Sequence, residues 1–111
     1  MASFTEQGIP THQELVVPVL RALVRMGGSA ASRDIITEVT ESLPHAETLL
    51  EISYPNRPSV SVLEDRVSWS RATAKRIGAL EQPTRGMNLI TDFGEQLLQL
   101  SEEQALAEIK R

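Results

Sequence analysis

Between Ser61 and Thr91 the chain places a helix start, a helix stop and a tight reversal in immediate succession, and few folds accept that order. Ser61-Val62-Leu63-Glu64 is a capping-box pattern, in which a Ser side chain and a Glu side chain three residues on satisfy each other's orphan backbone N–H groups. The helix it opens is read to Ile77, with Gly78 as a left-handed stop. Leu63, Val67, Ser70, Ala74 and Ile77 share one face at helical spacing, so that face meets the core, and its small residues let a second helix come close. Asp65, Ser68, Trp69, Arg71, Ala72, Lys75 and Arg76 are left over the remaining surface. The segments 79–82 and 87–90 flank the turn-forming quartet Pro83-Thr84-Arg85-Gly86 and read as a short hairpin.

Upstream, Thr11 and Glu14 form a second capping box, and Leu15, Val16, Val19, Leu20, Leu23 and Val24 then repeat as one wide apolar stripe up to Gly27-Gly28. Pro18 lies inside this pattern and is expected to bend the helix or to mark a tightened first part. Ser29-Ala30 is short and extended, a third strand for the later ribbon, and Ser32 is expected to cap a helix through Ile35, Ile36, Val39 and Leu43 that Pro44 ends. Leu49 and Leu50 centre a short turn or helix. Ser53-Tyr54-Pro55-Asn56-Arg57-Pro58 reads as an irregular loop because of its prolines and Asn. Thr91 or Asp92 caps a helix containing Phe93, Leu97, Leu98 and Leu100, and Ser101 with Gln104 makes a third capping box before a last helix carrying Leu106 and Ile109.

The order helix, strand, helix, helix, hairpin, helix is mainly α with a small β-hairpin (α+β), that of a winged helix-turn-helix with extra N- and C-terminal helices. With 111 residues and 41% hydrophobic content, one core is expected. Residues 1–10 are read as a flexible arm, 11–100 as the winged-helix domain and 101–111 as a helix or a linker towards a catalytic domain.

The chain has no cysteine, which excludes disulfides, thiolate metal sites and cysteine nucleophiles, and its apolar runs are too short for a bilayer. A soluble cytoplasmic protein without membrane contact is expected. The net charge of −4 is unevenly spread: residues 1–54 carry −4, residues 55–87 carry +3 and residues 88–111 carry −3. Since charge is screened over about 8 Å at physiological salt, the middle segment can present a basic face although the whole is acidic.

That basic segment supplies the candidate site. Arg71, Lys75 and Arg76 suit phosphates on either side of short polar side chains, Ser68 and Thr73, that reach base edges. Arg85 beside Gly86 at the turn suits a minor groove or a phosphate, and Arg57 is a further phosphate candidate. Arg66 carries two readings, a phosphate contact or an ion-pair partner of Glu64 and Asp65; Trp69 also carries two, stacking on a sugar or packing against phosphate stems, or, the favoured one, filling a gap between helices. His12 and His45 have no second ligand at metal spacing, so no metal or cofactor is expected. Catalysis is not expected either: there is no Ser–His–Asp set, no phosphate loop and no lysine among acids as a nuclease needs. With four aromatic residues an aromatic cage for a flipped base is not expected, and a cytosine methyl would be met by apolar contact in the groove.

Five runs carry a resemblance to a known family: Leu15-Val16-Val17-Pro18-Val19-Leu20, Asp65-Arg66-Val67-Ser68-Trp69-Ser70, Lys75-Arg76-Ile77-Gly78-Ala79-Leu80, Pro83-Thr84-Arg85-Gly86 and Ile90-Thr91. In this order the chain, over residues 11 to 100, resembles the N-terminal domain of the Mrr-like restriction endonucleases. The resemblance implies a winged helix that recognises double-stranded DNA, methylated DNA being a candidate target, with cutting done by a separate nuclease domain. Two other readings use the same fold: a protein-interaction module or homodimer joined through the last helix by Leu106 and Ile109, and a free-standing transcriptional regulator.

Overall fold

The computed structural model describes residues 3–111, which form six helices and two small antiparallel sheets. In chain order these are α1 (Val16–Arg25), β1 (Ser29–Ala31), α2 (Ser32–Ser42), α3 (Ala46–Leu50), β2 (Ser53–Tyr54), β3 (Arg57–Ser61), α4 (Val62–Arg76), β4 (Leu80–Thr84), β5 (Met87–Ile90), α5 (Asp92–Leu97) and α6 (Glu102–Lys110). The result is a helix-rich α+β, winged-helix-like fold. Its core is built where the sequence periodicity put it: Leu15, Leu20 and Leu23 meet Ile35 and Val39 of α2 and Leu63 and Val67 of α4, all without exposed surface. Each such side chain contributes about 1.5–3 kcal/mol through burial.

β5 is the centre of a three-stranded sheet in the order β1-β5-β4, with Ala30 opposite Asn88 and Leu80 opposite Ile90. Ser29-Ala30 does add the third strand. The reversal is tighter than the quartet suggested, for Pro83 and Thr84 belong to β4 and only Arg85-Gly86 separates Thr84 from its partner Met87. Pro83 is tolerated because β4 is an edge strand and the pairing shifts register between Glu81 and Thr84. Gly86 takes the left-handed φ of 80° that closes the turn.

Three local expectations need correction. The Thr11–Glu14 box forms, with bonds of 3.0 and 3.1 Å, but α1 starts only at Val16. Pro18 is therefore its third residue, where an α-helix leaves N–H groups unbonded, so the proline deletes no helical bond. Ser32 is not a cap: Ala31 holds that position without a side-chain bond, and the Ser32 hydroxyl is used elsewhere. Residues 53–58 are not an irregular loop either. They belong to a second hairpin, β2 with β3, in which Pro55-Asn56 forms the turn and Pro58 lies on a strand with a single partner, where proline is tolerated.

The ends are tied down. Ile9 is 1% exposed, and Phe4 meets the Tyr54 ring edge-on at 5.5 Å, so residues 3–10 of the segment expected as a flexible arm lie against the domain; Met1 and Ala2 are outside the described residues. Ser101 and Gln104 complete their capping box with two bonds of 3.1 Å. The helix they open folds back on α1 and buries Ala105 and Ile109. Ile109, expected to meet a partner, is thus part of this chain's own core.

Candidate nucleic-acid interface

α4 is fastened along three sides, which defines the stripe it leaves outward. Ser61 caps it by accepting from the Glu64 N–H at 3.3 Å, Lys75 and Arg76 stand in its last turn, and Gly78 follows at φ 85°. Its inner side buries Leu63, Val67, Ser70 and Ala74. Towards the N-terminal segment, Ser70 donates to the His12 carbonyl oxygen at 2.5 Å, and Arg66 donates from Nη1 to the carbonyl oxygens of Ile9 (3.1 Å) and Pro10 (3.0 Å). The Arg66 guanidinium also lies 5.6 Å from the Phe4 ring. Among the described residues Arg66 makes no ion pair with Glu64 or Asp65; it is a clasp for the chain before α1.

Towards the sheet, a chain of side-chain hydrogen bonds leaves α4 and returns to it. Lys75 Nζ donates to Gln82 Oε1 (3.2 Å), Gln82 Nε2 to Asn88 Oδ1 (3.0 Å), and Asn88 Nδ2 to Ser32 Oγ (3.0 Å) and the Ala30 carbonyl (3.2 Å). Arg71 Nη1 closes the circuit by donating to the same Ser32 Oγ at 2.9 Å. Ser32 accepts twice and so keeps its own proton for the Gly86 carbonyl, which also takes the Ser32 N–H at 2.9 Å. Arg85, at the exposed turn beside Gly86, is thereby coupled to the start of α2 and to Arg71. Asn88 is fully buried with both ends of its amide bonded, which is what a buried polar side chain requires.

Beyond the first turn, where Glu64 is exposed, what remains outward on α4 is Ser68, Trp69, Ala72, Lys75 and Arg76. Ser68, Arg71, Ala72, Lys75, Arg76 and Gln82 line one open groove, and a second, sharing Ala72 and Arg76, is bounded by Trp69, Tyr54 and His12. Trp69 does not fill a gap between helices: it is 61% exposed. Thr73, expected at base edges, is 6% exposed and turned inward. Arg57 stands apart on β3, its guanidinium 4.7 Å above the Tyr54 ring. The Tyr54 hydroxyl donates to Asp65 Oδ2 at 2.6 Å, and this bond, with some burial and the Asp65 charge, raises the phenol pKa above its ordinary value.

Among the described residues, ion pairs join Arg21 to Glu102, Arg25 to Glu38 and Arg111 to Glu108, and none involves Arg71, Lys75, Arg76 or Arg85. Among the described residues, Arg71, Lys75, Arg76 and Arg85 thus have no carboxylate within ion-pair distance. Burial alone lowers the Arg71 pKa, since desolvation disfavours the charged form. Sequence reasoning placed Trp69 on the outer surface of the helix but favoured a gap-filling role for it, and it missed Gln82 and Asn88 as parts of this face. Asn88 left one signal, a polar residue in an apolar strand at the position facing inward.

A family model described as the Mrr N-terminal domain matches residues 12–100. The chain belongs to that family. No curated protein and no solved structure gives a significant match. The match runs from the approach to α1 through α5 and contains the whole of α4, β4 and β5, so the outward stripe lies within the Mrr N-terminal domain proper and α6 outside it. Membership associates this Mrr N-terminal domain with restriction systems. No helix among its described residues is long and apolar enough to cross a membrane.

Proposed function

We propose that this Mrr N-terminal domain binds double-stranded DNA, with the outer stripe of α4 in the major groove and Arg85 at the adjoining backbone or minor groove. It serves, in this reading, as the cytoplasmic target-recognition part of a restriction endonuclease whose cutting residues lie in another domain. One observation carries the proposal: Arg71, Lys75, Arg76 and Arg85 stand without carboxylate partners among the described residues of a chain whose net charge is −4. Cations left unpaired in an acidic protein suit a polyanion. The small Ala72 between Trp69 and Arg76 allows close approach to base edges, and the stripe offers a C5-methylated cytosine an apolar contact.

The test is an anisotropy titration of a labelled duplex over a range of salt. Each phosphate contact contributes about 0.9 to the steepness of log K against log salt, so the wild-type chain should show a slope that falls as Lys75→Ala, Arg76→Ala and Arg85→Ala are introduced. A slope near zero, or one that no variant changes, rejects the proposed face. Cytosine-methylated and unmethylated duplexes of one sequence decide the modification preference.

A further inference from the structure

Arg71 is held unlike any other cation of this face. Lys75 and Arg76 are exposed, as phosphate contacts should be, since a phosphate tolerates a mobile point charge. Arg71 is partly buried, its Nη1 is fixed on Ser32 Oγ at 2.9 Å, and its Nε is buried without a hydrogen-bond partner. Ser32 is in turn fixed by the buried Asn88 at 3.0 Å, and Asn88 by Gln82 and the Ala30 carbonyl. Leaving an N–H buried and unmet is unfavourable, and a residue that only neutralised phosphate would gain nothing from it.

The arrangement freezes the plane of the guanidinium while the side chain still lines the open groove with Ser68, Ala72, Lys75, Arg76 and Gln82. A guanidinium has five N–H donors. One is buried and one points at Ser32, so the others remain for the groove. A fixed fork of parallel N–H groups is what the O6 and N7 acceptors of guanine require, and no other base offers that acceptor pair. Ala72 beside it adds no bulk.

We propose that Arg71 reads a guanine edge in the major groove, and that Ser32 and Asn88 are the positioning residues that aim it. This rests on the DNA-binding reading above and adds what that reading lacks, a base and an atom pair. Phosphate contacts by Lys75 and Arg76 then supply sequence-independent affinity, and Arg71 supplies discrimination.

The experiment uses a duplex isolated from a randomised pool on the wild-type chain, in which each guanine is replaced in turn by 7-deazaguanine, which lacks the N7 acceptor. The expected result is one position where the replacement weakens wild-type binding about tenfold or more, the effect of a lost bidentate contact. In Arg71→Lys and Ser32→Ala that ratio should collapse towards one while the salt slope stays at the wild-type value. A purely structural role of Ser32 would weaken intact and 7-deaza duplexes alike. Asn88→Asp, which keeps the acceptor facing Gln82 but loses the donor to Ser32, should follow Ser32→Ala, and circular dichroism establishes that the variants are folded. Two outcomes overturn the inference alone: salt-dependent binding with no sensitive guanine, or a sensitive guanine whose ratio survives in Arg71→Lys. Absence of salt-dependent duplex binding by the wild-type chain overturns the DNA reading together with it.

Discussion

Gly94 of α5 packs directly against the carbonyl of Ala79, the residue before β4, so closely that a Cβ there would collide with the oxygen and would also crowd Ile90 Cγ1 at 2.8 Å. The same corner is bound by Thr91, whose N–H donates to Ala79 O at 3.1 Å and whose hydroxyl donates to Gly78 O at 2.6 Å while capping α5. The junction sets where the β4–β5 hairpin leaves the body of the domain. Gly94→Ala should destabilise the chain by about 1–3 kcal/mol, the range for an overpacked site whose neighbour is backbone and cannot turn aside. A urea unfolding midpoint equal to wild type would show that α5 can withdraw from the strand at no cost.

The fold was legible because its signals are local. Cap signals at Ser61 and Ser101, left-handed glycines at 78 and 86 and apolar residues at helical spacing specify where elements begin, end and face, without knowledge of distant partners, although the Thr11 box closes ahead of α1 and Ser61 makes only the hydroxyl half of its box. The site was legible only in part because orientation on α4 is a tertiary matter. Thr73 and Trp69 stand four residues apart on one helix, and which of them turns inward depends on where α1 and the sheet press against it. Arg66 looked like a partner for the acids beside it, yet two carbonyls from residues more than fifty positions away hold it instead. The Lys75–Gln82–Asn88–Ser32–Arg71 circuit draws on four elements, and no spacing along the chain announces it. The second hairpin was hidden for another reason: prolines argue against central strands, but in a two-stranded ribbon no strand is central.

Tyr54 is the chain's single tyrosine, so tyrosinate absorbance reports on it alone. Its midpoint should lie above the ordinary value near about 10, because the phenol proton is shared with Asp65 and both burial and the Asp65 charge oppose ionisation. Folding thus favours the neutral phenol. The stabilisation is fully present below the unfolded pKa and disappears as pH rises through the higher folded one. Asp65→Asn should move the midpoint back towards the ordinary value, and Tyr54→Phe should remove this component of alkaline destabilisation. An unchanged midpoint in Asp65→Asn would assign the shift to burial.

Trp69 is likewise single, and at 61% exposure its emission reports solvent contact on the outward stripe of α4. Adding duplex should shift that emission to shorter wavelength or quench it as the indole leaves water. Trp69→Ala should alter stability by no more than about 0.5 kcal/mol, as for an exposed position without partners, while weakening duplex binding. If saturating duplex leaves the emission unchanged, DNA does not sit on this part of the helix.

Arg66 and Arg76 are one charge type on one helix, ten residues apart, and the structure gives them opposite duties. Arg66 is committed to the carbonyls of Ile9 and Pro10 and to the Phe4 ring, so Arg66→Ala should release the segment before α1 and lower stability by about 1–3 kcal/mol through the lost charged hydrogen bonds. Its salt slope for duplex binding should stay at the wild-type value. Arg76 is exposed, in the last turn of α4, with no carboxylate partner among the described residues. Arg76→Ala should therefore leave stability within about 0.5 kcal/mol of wild type and reduce the slope by about 0.9. Measuring both quantities on both variants separates the duties, since a residue that moves the slope touches phosphate whatever else it holds. A slope lost in Arg66→Ala but kept in Arg76→Ala would shift the DNA-facing surface from the last turn of α4 towards Arg66 and the segment before α1.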